Sequence, residues 1–174
     1  MEIPPDGHYI SSGLMLLPQH AEAIDRLLAE LCRKVPSRLG VVLARDGQFI
    51  AAQGEACGQV DLVSLGALIA GDHAASQAIA QLTGGYEEFQ AAVREGKKHN
   101  LLVIDAGPHL VLFVLAAADV PVGWVRLLTM EAARRLAKIA QTMPGDPGGE
   151  AWGAGEADIS DQVDQALRDL WSTG

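Results

Sequence analysis

The sequence lacks the residue patterns from which most active sites are built. Its two cysteines, Cys32 and Cys57, form neither a C-x-x-C pair nor a metal-ligand spacing, and we expect Cys32 to be a small core residue. The five histidines match no zinc motif, and no glycine-rich loop carries the Gly-Lys-Ser/Thr that cradles a phosphate. We therefore expect no catalytic residue, no cofactor and no metal site, and interpret the chain as an interaction module.

Positive charge and long apolar runs are also scarce. Lys and Arg total 13 against 22 Asp and Glu, which gives a net charge of −9 that would repel a nucleic-acid backbone. The one basic cluster, Lys97-Lys98-His99, is predicted to be a solvent-exposed turn. The longest apolar run, residues 110–118, is too short to span a membrane, and the N-terminus lacks a secretory signal. These absences predict a cytoplasmic protein that does not bind nucleic acid and has no membrane span.

The most informative stretch present in the chain runs from Asp61 to Gly85. Asp61 suits a helix N-cap, and Gly84-Gly85 suits a helix end. Between them the chain has no Lys, Arg or Pro, and its only carboxylate after the cap is Asp72. At 1.5 Å per residue, this predicts a helix roughly 35 Å long.

This predicted helix is apolar on two faces. The spacing of its large residues predicts a face toward the core: Leu62, Leu65, Ile69, Ile79 and Leu82. A second face, where a surface helix would normally carry charge, has only small residues: Ala67, Ala70, Gly71, Ala74, Ala75 and Ala78. Small side chains let another backbone approach closely, which favours an interaction surface. The alternative is a helix buried on both sides within its own domain.

The remaining elements indicate an α+β fold. Pro18 opens a helix that Pro36 ends, and Arg45-Asp46-Gly47 predicts a tight turn between two apolar strands. A second hairpin and a final helix follow, whereas residues 86–96 suit either helix or strand. The predicted strands are 39–44, 48–53, 101–106 and 109–117. Hairpins imply an antiparallel sheet, and helices on its faces complete an α+β sandwich.

Composition divides the chain into four parts. Residues 1–17 have no period and are predicted to be a loose arm, followed by a domain at 18–143 and a Gly/Pro-rich flexible linker at 144–157. Residues 158–172 predict an amphipathic helix with one apolar face: Ile159, Val163, Leu167, Leu170 and Trp171. That helix either folds back onto its own domain or docks in a groove of a partner.

The long helix and its surroundings resemble a known family. The segment LIAGDHAASQAIA at 68–80, with the earlier Asp-Gly hairpin and the later PVGWVRL at 121–127, resembles the roadblock (dynein light chain) family over about residues 18–143. The linker and acidic tail helix are similar to the bacterial MglB-like branch. The resemblance implies a five-stranded antiparallel sheet with helices on its faces, in the order α-β-β-α-β-β-β-α. It also makes residues 87–94 an edge strand.

The resemblance further implies how the chain works. It implies a homodimer, joined across the edge strand with the long helices side by side, that binds an MglA-type small Ras-like GTPase with two chains to one GTPase and stimulates GTP hydrolysis. The binding surface would be the small-residue face, and the tail helix would make a second contact that favours nucleotide exchange. The resemblance is also compatible with a protein that is concentrated at a cell pole.

The long helix has no arginine, which excludes an arginine finger from it, and Arg38, Arg45 and Arg94 remain as alternative sources from this chain. The resemblance implies that the GTPase supplies its own arginine and glutamine and that the activator selects the conformation that places them. Two other functions stay open. One is a roadblock scaffold that binds a GTPase or motor complex without activating it, and the other is a small-molecule sensor domain.

Overall fold

The computed structural model describes residues 7–10, 12–84 and 91–145. A two-stranded ribbon precedes a five-stranded sheet and three helices. The elements, in chain order, are β1 (His8–Tyr9), β2 (Met15–Leu16), α1 (Pro18–Lys34), β3 (Ser37–Ala44), β4 (Phe49–Gln53), α2 (Leu62–Thr83), β5 (Ala91–Glu95), β6 (His99–Ala106), β7 (Leu110–Ala117) and α3 (Val122–Gln141).

The five main strands form one antiparallel sheet in the order β4-β3-β7-β6-β5. Both predicted hairpins are present, and Gly47 and Gly107 supply positive φ angles of 91° and 80° in their turns. β7 is buried along nearly its whole length, as its apolar run predicts. The predicted fold class is therefore confirmed. Within the described residues, no helix is long and apolar enough to cross a membrane.

Alternation along the strands gives the sheet two apolar faces. One set of side chains packs against α1 and α3, with Val42, Leu102, Ile104 and Leu112 among its buried members. The other set packs toward α2, and includes Val41, Val103, Val111 and Phe113. Within the described residues, α1 and α3 thus cover one face of the sheet and α2 covers the other.

The ends of α2 lie where the sequence predicts them. The Asp61 carboxylate accepts hydrogen bonds from the backbone N–H groups of Val63 and Ser64, and Gly84 adopts the left-handed conformation with φ of 69°. The prediction for its core-facing residues is only partly right. Leu62, Leu65 and Ile69 pack on the sheet. Ile79 and Leu82 are 62% and 88% exposed, so their predicted place in the core of this chain is wrong.

The described part of the predicted arm 1–17 forms the β1–β2 ribbon and contributes side chains to the core. Ile10, Leu14 and Leu16 are buried in the core beneath α1 and α3, and Leu14 bridges to Gly145. The segment that was ambiguous in sequence is a strand at 91–95, which confirms the later part of the predicted edge strand 87–94. Residues 87–90, most of the predicted linker and the whole predicted tail helix lie outside the described residues.

Candidate interaction surface on the long helix

The outward half of α2 carries no charge and presents mainly apolar side chains, with Ser64 and Gln81 among its exposed polar residues. Its exposed large residues are Val63, Leu68, Ile79 and Leu82, with Val63 78% and Leu68 71% exposed. Of the predicted small-residue face, Ala70 is half-buried, and the others are exposed: Ala67, Gly71, Ala74, Ala75 and Ala78. Between residues 62 and 83 the single charged side chain near this surface, Asp72, is half-buried. The structure thus places all six predicted residues on one continuous uncharged surface.

Two glycines hold α2 against the β3–β4 turn. A Cβ placed on Gly47 would lie 2.5 Å from the Gly66 carbonyl oxygen, and a Cβ on Gly66 would meet the Gly47 carbonyl even more closely. Gly66 is buried by this approach, whereas a Cβ on Gly71 of the same helix would have no atom within 4 Å apart from its chain neighbours and the local helix backbone. The first half of α2 is therefore fixed close to the sheet at the β4 side.

An ion pair holds the side of α2 that faces away from Gly66 above the β5 edge of the sheet. The Arg94 guanidinium of β5 donates two hydrogen bonds to the Asp72 carboxylate, one of them 3.0 Å long. β5 pairs only with β6 among the described strands and forms one edge of the sheet. Residues that flank Asp72 on the helix surface therefore lie above this edge, and those that flank Gly66 lie above β4.

The exposed face of α2 divides into two stripes with helical spacing. One stripe, on the β5 side, repeats at intervals of three and four residues: Leu68, Gly71, Ala75, Ala78 and Leu82. The other stripe lies farther from that edge and comprises Val63, Ala67, Ala70 and Ala74. A repeat of three and four residues is the pattern by which two helices pack along their length.

A buried polar cluster lies beneath the middle of α2. His73 Nδ1 is 3.0 Å from Asp105 Oδ1, and the Arg45 guanidinium donates to Asp105 Oδ2 over 3.2 Å. The Gln77 amide nitrogen lies 2.9 Å from His73 Nε2. A neutral His73 ring that donates from Nδ1 to Asp105 and accepts at Nε2 from the Gln77 amide satisfies both contacts of the ring. His73 is 8% exposed, so it is buried within this chain.

Burial controls the protonation of this cluster. It lowers the pKa of His73, although the Asp105 carboxylate opposes that shift. Burial also raises the pKa of Asp105, opposed by His73 and by Arg45. Arg45 and the ring N–H both stabilise the ionised carboxylate, so the cluster holds a neutral His73 beside an Asp105 paired with Arg45.

Comparison with known proteins identifies the fold family. A family model described as the Roadblock/LC7 domain matches residues 25–116, which is more than half of the chain. The chain belongs to the Roadblock/LC7 family. The roadblock protein is 31% identical over 113 residues to the uncharacterized protein MJ1340 of Methanocaldococcus jannaschii, over 65% of this chain and 96% of that protein.

Solved MglB structures share the architecture of this roadblock protein. One, described as MglB with a tetrameric arrangement, is 31% identical with a TM-score of 0.68, and the match covers 76% of this chain and 98% of that one. Another, the gliding protein MglB from Thermus thermophilus, is 28% identical with a TM-score of 0.62, over 81% of this chain and 98% of that one. The expected MglB-like roadblock fold is therefore confirmed.

The arginines that the sequence left as candidates are all paired in the roadblock domain. Arg38 donates to Glu55 over 2.7 Å, Arg45 to Asp105, and Arg94 to Asp72. Among the described residues, no three His, Cys, Asp or Glu side chains are grouped so that they could hold a metal ion.

A cleft of about 230 Å³ lies between α2 and strands β5 and β6 of the roadblock domain. His73, Gln77 and Asp105 give it a polar wall, and Ile79 and Ala92 are among its apolar lining. Sequence reasoning missed this cluster because its members come from α2, β6 and the β3–β4 turn. The one available signal was Asp105, a carboxylate in an otherwise apolar predicted strand.

Proposed function

We propose that this roadblock protein is a homodimeric regulator of an MglA-type small Ras-like GTPase and that it stimulates GTP hydrolysis. The observation that carries the proposal is the uncharged, exposed half of α2. An apolar surface of this extent on a soluble domain is typical of a protein-protein interface. The similarity to MglB structures supports the class of partner, and the name of the gliding protein among them supports a role in motility or cell polarity.

The two stripes of α2 suggest two separate interfaces, one for the dimer and one for the GTPase. The stripe from Leu68 to Leu82 lies above the exposed edge of β5, where a second copy could pair with both the strand and the helix. We assign that stripe to the dimer and the stripe of Val63, Ala67, Ala70 and Ala74 to the GTPase. In a dimer the second stripe would be duplicated on a broad surface, which supports a stoichiometry of two chains to one GTPase.

The proposed mechanism places the catalytic groups on the GTPase. GTP hydrolysis requires a positioned water and positive charge near the γ-phosphate. α2 has no arginine, and Arg38, Arg45 and Arg94 are engaged in ion pairs. The protein would therefore act by binding the GTPase conformation in which the partner's own arginine and glutamine are in place. A coupling of about 1–3 kcal/mol would shift that equilibrium roughly 5- to 150-fold.

The predicted tail helix is proposed to make a second contact with the GTPase, away from the nucleotide, that favours exchange. Its apolar face, from Ile159 to Trp171, would form that contact. We propose a cytoplasmic site of action, with concentration at a cell pole in keeping with a polarity role.

The substitution Ala74→Arg tests the proposed GTPase surface. It puts a long charged side chain at the C-terminal end of the second stripe, near the middle of α2, so we expect binding of the cognate GTPase to fall at least tenfold, about 1.4 kcal/mol. Titration calorimetry and GTP turnover with purified proteins measure the effect. Ala29→Arg, at an exposed alanine of α1, is the matched control and should bind normally. Normal binding by Ala74→Arg would refute the assignment.

Turnover measurements also separate activation from scaffolding. If the wild-type protein binds the GTPase but leaves its hydrolysis rate unchanged, the scaffold function replaces the activator function. The sensor function is favoured only by the cleft beside His73. Its volume of about 230 Å³ is below the range typical of small-molecule sites, roughly 300–1,000 Å³. A small molecule retained by the purified protein and identified by mass spectrometry would favour the sensor.

A further inference from the structure

A groove lies on the opposite side of the sheet from α2, between α1 and α3. The two helices run antiparallel there, and the groove has apolar residues at its base, including Leu27, Leu128 and Ile139. Its wider part measures about 550 Å³ and lies between Ala23 of α1 and Ile139 of α3. This groove plays no part in the proposed α2 interface.

Two large apolar residues extend the groove at the start of α3. Trp124 is 51% exposed and Leu127 is 60% exposed. They lie one helical turn before Leu128 and Glu131, which line the groove, so they continue the same surface. From Trp124 to Ile139, α3 rises about 23 Å.

The charge of α3 is opposite to that of the chain as a whole. α3 has four cationic residues and one carboxylate, whereas the whole protein has a net charge of −9. Two of the cations, Arg135 and Lys138, line the groove beside Arg26 of α1. Arg135 pairs with Glu30 over 2.9 Å, but Lys138 makes no ion pair within the described part of the chain.

The C-terminal residues of the same chain have complementary properties. Residues 146–174, which lie outside the described part, include seven carboxylates and one arginine. Their sequence predicts an amphipathic helix over 158–172, in which residues 158–171 would be about 21 Å long and so match the groove. Residues 146–157 would connect it to the end of α3, and twelve residues reach at most about 40 Å. The connection is therefore long enough for the helix to return along α3.

We propose that residues 158–171 dock as a helix in the groove between α1 and α3 of their own chain. The aspartates at the start of this helix would lie near Lys138 and Arg26, and Leu170 and Trp171 would pack beside Trp124 and Leu127. This direction places the helix start next to the end of α3, where the connection begins. The docked tail is a resting state of the protein alone and does not depend on the proposed GTPase. A tail helix in the groove is not free to contact a partner, so docking opposes any second contact.

Hydrogen exchange of the full-length protein tests the docked tail. An isolated helix of this length is marginal in water, so slow amide exchange in residues 158–171 would itself indicate docking. We expect Trp124→Ser to speed that exchange about tenfold or more, because a large apolar contact is lost. We expect Lys138→Glu to have a smaller effect, and Asp161→Lys combined with it to restore part of the protection. Val63→Ser, at an exposed apolar residue of α2, is the matched control and should leave the tail unchanged.

Isotope labelling shows whether the docked helix belongs to the same chain as the groove or to a second copy. In an equal mixture of ¹⁴N- and ¹⁵N-labelled chains, carbodiimide cross-links between Lys138 and the tail carboxylates should join residues of the same isotope. Mixed cross-links would overturn docking within one chain in favour of a second copy. Exchange as fast as that of a free peptide would overturn the proposal. Loss of protection in Val63→Ser but not in Trp124→Ser would also overturn it, because the tail would then lie on α2.

Discussion

Gly66 and Gly71 occupy the same helix but have opposite environments. A Cβ at Gly66 would collide with the Gly47 carbonyl, so we expect Gly66→Ala to lower the free energy of unfolding by about 2–3 kcal/mol. A Cβ at Gly71 meets nothing, and Gly71→Ala should raise it by about 0.5–1 kcal/mol through helix propensity. Urea denaturation of both variants checks this pair. Equal effects would show that α2 does not approach the β3–β4 turn.

The buried His73 gives the stability a pH dependence of defined sign. Burial lowers its pKa below 6.5, so the unfolded chain binds a proton more readily than the folded one. The contribution of His73 to stability is therefore complete above pH 6.5 and is lost as the pH falls below that value. Asp105, whose pKa burial raises above 3.8, acts in the opposite direction.

We therefore expect the stability advantage of wild-type protein over His73→Gln to shrink between about pH 7.5 and about pH 5.5. Glutamine keeps an amide donor for Asp105 but does not titrate, so the difference reports the titration of the ring together with its effect on Asp105. Burial also lowers the pKa values of His20 and His109, which stay present in both proteins and cancel in the comparison. Urea midpoints at fixed protein concentration measure the difference. A constant gap across this pH range would contradict the assignment.

At the scale of elements, the boundaries of α2 were accessible from sequence and its burial was not. Asp61 and Gly84 act on their own backbone neighbours, so local chemistry was enough to place both helix ends. Helical periodicity, in contrast, reports which residues share a direction but not how much sheet lies beneath them. Leu82 belongs to the outward stripe with Ala75 and Ala78, and Ile79 lines the cleft, so both remain exposed in one chain.

Alanine substitutions at Leu82 and Ile69 test this difference along one helix. Leu82 is 88% exposed and Ile69 is 4% exposed. At concentrations where the chain is monomeric, we expect Leu82→Ala to change the free energy of unfolding by no more than about 0.5 kcal/mol. Ile69→Ala should cost about 2–5 kcal/mol. A comparable loss of unfolding free energy at both positions would show that Leu82 is part of the core.

Other elements show the same limit of sequence reasoning. Ile10 and Leu16 are buried by residues that are distant in sequence, and no local hydrophobic periodicity indicated their burial. The cluster of Arg45, His73 and Asp105 is assembled by three elements that are adjacent only after the sheet forms. The small-residue face of α2 could be recognised from sequence as a candidate interaction surface. Its unusual feature is the absence of charge over many positions, and all of these positions lie in a single segment.

At the scale of the whole molecule, the assignment of one α2 stripe to a dimer predicts that stability depends on protein concentration. Dimerisation stabilises the folded state by mass action, so the thermal midpoint should rise as concentration increases. We expect Ala75→Arg, in the stripe above β5, to remove this dependence and to halve the mass seen by light scattering. Ala29→Arg again serves as the control. A concentration-independent midpoint in the wild-type protein would argue against a dimer.

The pairing of β3 with β7 has a consequence for the order in which the domain can form. Val41 lies opposite Phe113, and Leu39 opposite Leu115, so the two central strands are separated by most of the domain in sequence. Long-range pairing of this kind is slow, since the intervening chain must close into a loop first. During synthesis, α2 emerges from the ribosome before β7 exists to complete the sheet that it covers. We expect the nascent chain to present an uncharged helix to solvent for that interval, and chaperones that recognise apolar segments to bind there first.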